Sequence, residues 1–402
     1  MSHPSDINSA EVLRSQIQAQ PSPLPVAIAP LQRLRQVIRP YRRGLLILLI
    51  PVSFLLTGLA AAFPHITESV YSRGIYPVLA GIFGRLFGFF PFSVAEILLY
   101  VLVVAVPVWL CVQFARLVKR KEKKRRALNM LATIGCVAGV GYFLFTVLCG
   151  FNYHRITFAE QSGLVIRPSP VSELGLLYAE LVGRANYLRA QVNENENGVM
   201  VFYPESAHTI ARMAPQGIAR LAERYPVFGG YTPPPKPVLA SRGLSMMNIA
   251  GVYIPFTFEA NVNVDMPHFN IPFTMMHELA HFKGFMREDE ANFIAYLACR
   301  EMDNHAFQYS GVMLALIYTG NALFAASPEL YREISAGLDE AVWRDFSDNR
   351  AYWAQFEGPI AQATIAINDA YLRHQRQEDG VRSYGRMVDL LLADFRARHG
   401  LE

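Results

Sequence analysis

Charge is scarce in this chain. Of its 402 residues only 17% are Asp, Glu, Lys or Arg, 52% are hydrophobic, and the mean hydropathy is +0.19; that balance excludes an ordinary soluble protein of this length. Cysteine is scarce too, with four in all. Cys111, Cys136 and Cys149 fall inside long apolar runs and Cys299 lies on a helical stretch, so no disulfide framework is expected. Strand-forming sequence is confined to 238–264, where 251–256 and 260–264 read as short strands. A β-rich fold is thereby excluded. No long apolar run precedes Gly44 and others follow it, so a cleavable signal peptide is not expected.

Apolar length is what the chain has in abundance. Three runs, at about 44–63, 97–115 and 127–149, match the span of a bilayer. Arg33, Arg35, Arg39, Arg42 and Arg43 precede the first, and a dense cluster from Arg116 to Arg126 separates the second from the third. The intervening loop 64–94 carries only Arg73 and Arg85 as basic residues. By the positive-inside rule the polar, Pro-rich tail 1–43 and the basic cluster are cytosolic, and everything after residue 150 is exported. The basic cluster lacks interleaved aromatics and lies between two spans, so its expected partner is the lipid bilayer, not nucleic acid. The protein is therefore expected to be a multi-pass protein of the cell inner (plasma) membrane with an extracytoplasmic domain, 151–402.

Smaller features refine this layout. Within the loop, 75–92 is apolar and Gly-rich but broken by Pro77 and Pro91, as an interfacial or re-entrant helix would be. Gly135 and Gly139 form a small-xxx-small pair suited to close helix packing. The stretch 306–326 is apolar enough to span, yet Gln308, Asn321 and its place within the exported region favour a buried core helix. Helices are also expected over 172–192, 207–224, 330–344, 351–375 and 384–398.

The passage that carries chemistry is Met276-His277-Glu278-Leu279-Ala280-His281, followed by Gly284 and by Glu288-Asp289-Glu290-Ala291-Asn292-Phe293. Residues four apart share one face of an α-helix, so the imidazoles of His277 and His281 converge on one cation with Glu278 beside them. Two imidazoles and a carboxylate are a zinc donor set, and the glutamate next to the first histidine is placed as general base toward a water. Small and apolar neighbours mark the helix as buried, and buried polar groups of this kind need a partner. Gly284 suits a helix stop, after which a second helix begins near Arg287. Glu288 is the choice for third ligand because Asn292 lies one turn on and can hydrogen-bond a ligating histidine. Glu290, about 200° around the helix from Glu288, is the other candidate.

These residues resemble the gluzincin class of zinc peptidases, in which a Glu on the following helix is the third ligand. Carried over position by position, the resemblance implies His277, His281 and Glu288 as zinc ligands, Glu278 as catalytic base and Asn292 as supporting residue. Only six residues separate His281 from Glu288, where many gluzincins have a longer connection, and the metzincin third-ligand position holds Arg287, which cannot ligate. Nearly the whole chain also resembles a bacterial family of membrane proteins with three N-terminal spans and a zinc-peptidase-type domain. The expected fold is mainly α: three transmembrane helices followed by an α-rich, zincin-like α+β domain with a small β region before the metal-binding helix. In zincins such a strand borders the cleft and pairs with substrate backbone. Tyr384 is a candidate donor to a tetrahedral oxyanion, and Glu259 a candidate for a substrate amine. His154, His208, His268 and His305 are scattered and read as surface or core residues.

The expected activity is that of a membrane-anchored zinc metallopeptidase acting on an extracytoplasmic peptide or protein that is membrane-associated or in the envelope. The alternatives are a catalytically inactive binding protein on a zincin scaffold, which Glu278 argues against, and a zinc amidase acting on a cell-wall component.

Overall fold

The computed structural model describes residues 42–119, 123–375 and 386–401. Helix dominates it. Four helices are long and apolar enough to cross a membrane: Gly44–Ala62, Val94–Val118, Lys123–Leu148 and His305–Ala326. They are not equivalent, since only 11, 0 and 17% of the most apolar stretch is buried in the first three, against 56% in the fourth. The glycine pair on Lys123–Leu148 acts as its spacing suggests. A Cβ on Gly139 would lie 2.5 Å from the Leu46 carbonyl oxygen, and one on Gly135 3.2 Å from the Ile47 side chain, so two helices meet almost backbone to backbone.

His305–Ala326 is apolar because it is enclosed. Phe307, Tyr309, Met313, Leu316 and Leu323 are buried, and the helix packs on Val171–Arg189, Asn270–Phe282 and Glu288–Arg300. Together these form the main core.

The β region is small, as expected. Glu259–Val262 is central, pairing parallel with Lys236–Pro237 and antiparallel with Gly251–Ile254. A short helix, Ser241–Met246, interrupts the stretch before the edge strand. A further hairpin pairs Asn193–Glu194 with Met200–Val201. The helical stretches expected over 207–224 and 351–375 are each broken at a proline. Pro215 and Pro359 open new helices, because proline lacks the N–H an interior position needs but suits a first turn.

The segment joining the first two of these apolar helices is helical nearly throughout. Pro64–Ile66 leads into a π-helix, Thr67–Ile75, and then an α-helix, Tyr76–Gly88. Its inner face packs in a second core with Tyr153, Tyr253, Phe258 and Phe282, while Val78, Ile82 and Leu86 form an exposed apolar stripe. One face thus lies on the body formed by later residues and the other is as apolar as an interfacial helix requires.

Candidate metal centre

Every residue of Asn270–Phe282 except His277 is buried, so the helix is a strut through the core. It ends at Gly284, whose φ of +86° is left-handed. A Cβ there would lie 3.0 Å from both Asn152 Nδ2 and Tyr76 Cε1, so glycine is required by conformation and by space. The turn is held from outside: Tyr76 Oη donates to the carbonyls of His281 and Phe282, and Arg155 Nη1 donates to Gly284 O at 3.2 Å. Arg155 is in turn gripped by Glu68 of the π-helix through Nε and Nη2, at 2.9 and 2.8 Å. Arg287 is extended, and Glu288 opens the next helix, Glu288–Arg300.

This short reversal brings three donors together. One ligand atom each from His277, His281 and Glu288 lies within 4.8 Å of the others. Glu288 Oε2 is 3.2 Å from His277 Nε2 and 3.7 Å from His281 Nε2, close to the ~3.3 Å edge of a tetrahedron with metal-ligand bonds of about 2 Å. Both imidazoles are anchored through the opposite nitrogen. His277 Nδ1 donates to Asn292 Oδ1 at 2.8 Å, and His281 Nδ1 donates to the Phe285 carbonyl at 2.7 Å. Those bonds fix the tautomer and turn each Nε2 toward Glu288. Among the described residues, Glu288 Oε2 is buried and makes no hydrogen bond of good geometry. The donor set, its spacing and that unsatisfied oxygen fit a metal ion.

The electrostatics point the same way. Burial alone would raise the Glu288 pKa, yet the two imidazoles hold it far below the ordinary carboxylate range. Burial would lower that of His281, but Glu288 raises it to about 9. The cluster therefore draws positive charge to itself, as a proton or as a cation. Glu278 behaves differently: burial lifts it to about 7 against the lowering pull of the histidines, so it takes up and releases a proton near neutrality. Its Oε1 would lie 2.5 Å from a Cβ on Gly251, so the glycine of the edge strand is what leaves it room.

Tyrosines complete the surroundings. Burial followed by the Glu288 charge raises the pKa of Tyr318 to about 12. Tyr153 and Tyr371 share a 2.6 Å hydrogen bond, and burial with the Glu288 charge among its causes raises both. They come from three separate elements, so no local spacing in the sequence marks them. The sequence candidate for this role, Tyr384, lies outside the described residues.

Other candidates take structural places. Glu290 turns away from the cluster and accepts hydrogen bonds from Phe158 N at 2.9 Å and Arg287 Nη1 at 3.2 Å. Glu259, read from sequence as a possible amine site, instead accepts from Val94 N and Ala95 N, capping the helix Val94–Lys119 where its partial positive charge favours a carboxylate. His268 stacks on Phe202, His208 is exposed, and Cys299 is buried against Gly311.

Comparison with known proteins gives one result. Residues 71–392 match the family described as "Protein of unknown function (DUF3810)". No curated protein and no solved structure matches the chain. The match covers well over half of the sequence and takes in the whole candidate centre, so the chain belongs to the DUF3810 family.

Proposed function

We propose that this protein is a membrane-anchored, zinc-dependent hydrolase, most simply a peptidase. The observation that carries the reading is the pairing of each Nδ1 with a fixed acceptor while both Nε2 atoms and Glu288 Oε2 face one point. His277, His281 and Glu288 would hold the metal, which when bound supplies Lewis acidity toward a water and a substrate carbonyl. Glu278 accepts the proton of that water on its carboxylate and returns it to the leaving nitrogen, a task suited to a group poised near pH 7. Asn292 and the Phe285 carbonyl keep the imidazoles from rotating. The hydroxyls of Tyr318, Tyr153 and Tyr371 are the nearby candidates for steadying a developing oxyanion.

The first three apolar helices are read as the spans, with the basic cluster in the cytoplasm and the centre outside it. Fixing a hydrolase in the membrane restricts it to substrates of the envelope, including membrane-associated ones. The direct test compares envelope protein fragments from cells carrying wild type and Glu278→Gln. Fragments that disappear in the variant are expected; identical fragment sets would overturn a peptidase.

A further inference from the structure

The helix Pro359–His374 carries an apolar stripe that, among the described residues, is covered at one end only. Ile360, Ala363, Ile367 and Ala370, spaced three or four apart, lie on one face and are exposed, Ile367 at 70%. At the C-terminal end the same face rests on the apolar helices. The His374 ring stands edge-on to Phe54 at 6.1 Å, its Nε2 is 3.3 Å from Tyr142 Oη, and the Tyr371 ring is 6.3 Å from that of Phe145. The other side is polar, with Arg373 Nε donating to Asp369 Oδ2 at 2.7 Å.

Depth follows from helix rise. Gly44–Ala62 has 19 residues, about 28 Å at about 1.5 Å each, which matches a hydrocarbon core of about 30 Å. Phe54 therefore stands near its middle, about 12 Å below Ala62. Ile367 is seven residues before His374, at most about 10 Å away along the axis. A residue touching Phe54 thus carries Ile367 below the end of the span.

We propose that the C-terminal half of Pro359–His374 is seated in the leaflet on the catalytic side, with Ile367 and Ala370 against lipid acyl chains and its polar stripe turned from them. The stripe continues the lipid-facing surface of the spans, which names its occupant. Tyr371, on the same helix, is hydrogen-bonded to Tyr153. The contact does not depend on hydrolysis. It does rest on the reading of Gly44–Ala62 and its neighbours as spans.

The test uses the full chain in lipid nanodiscs, with Cys111→Ser removing the exposed cysteine. A nitroxide is placed at Ile367→Cys or Ala370→Cys, at Val104→Cys in a bare apolar helix, and at Glu196→Cys in an exposed loop. Collision with oxygen and with a water-soluble nickel chelate is measured at each. The expected oxygen-to-nickel ratio at 367 and 370 is several-fold above that at 196 and below that at the mid-span position 104. A ratio like that at 196, or exclusion of both agents by a protein contact, would overturn the proposal. A water-like value at 104 itself would overturn the reading of the spans instead.

Discussion

Each imidazole of the cluster is fixed through Nδ1, so removing a fixing group and removing a ligand have different consequences. Glu288→Ala takes away the carboxylate that faces both Nε2 atoms and is expected to lose most of the bound zinc. Asn292→Ala leaves all three donors but frees the His277 ring, and metal affinity should fall roughly 10 to 100-fold. Glu290→Ala should keep the zinc, while stability drops by about 1–3 kcal/mol because the Phe158 N–H loses its buried acceptor. Metal content under a competing chelator, together with thermal unfolding, separates the three. Zinc lost from Glu290→Ala and retained by Glu288→Ala would contradict the assignment. Much of this cluster was legible in the sequence because its parts are local: HExxH needs one helix, and Gly284 reports its own turn. The tyrosines were not legible, since Tyr153, Tyr318 and Tyr371, whose hydroxyl pKa values are raised in part by the Glu288 charge, come from elements far apart in the chain.

The least legible element is the π-helix Thr67–Ile75. In sequence it belongs to a loop between spans, yet it holds Glu68 against Arg155, 87 residues away, and Arg155 holds the turn at Gly284. Burial alone would raise the Glu68 pKa, but hydrogen bonds and charge from Arg155 and then Arg73 bring it below the ordinary 4.5. A carboxylate depressed in the folded state stabilises it fully above the unfolded value, and that contribution is lost as pH falls through the folded value. Glu68→Gln should therefore be less stable than wild type at neutral pH by about 3–5 kcal/mol, as for a broken buried pair, and unfold at lower temperature. The gap should narrow on acidification below the ordinary carboxylate value. Thermal scans across pH check this, and a gap that widens in acid would contradict it. The helix ends at Pro215 and Pro359 were not legible in periodicity: the helices expected over 207–224 and 351–375 restart at each proline, where the missing N–H outweighs the apolar spacing.

At the scale of the molecule, hydropathy alone returns four membrane-capable helices, and packing distinguishes them. Composition cannot tell a helix wrapped by lipid from one wrapped by protein, which is why 306–326 needed Gln308, Asn321 and its position to be read as core. The charge asymmetry sets the expected topology: alkaline phosphatase fused after Gly150 should be active and one fused at Lys123 inactive, and the opposite pattern would place the centre in the cytoplasm. The central claim is that this centre binds metal for hydrolysis, and zinc stoichiometry tests it most directly. Purified wild type and Glu278→Gln should each carry about one zinc per chain, with hydrolysis confined to wild type. A metal-free preparation that still cleaves, or a wild type that takes up no zinc, would contradict it.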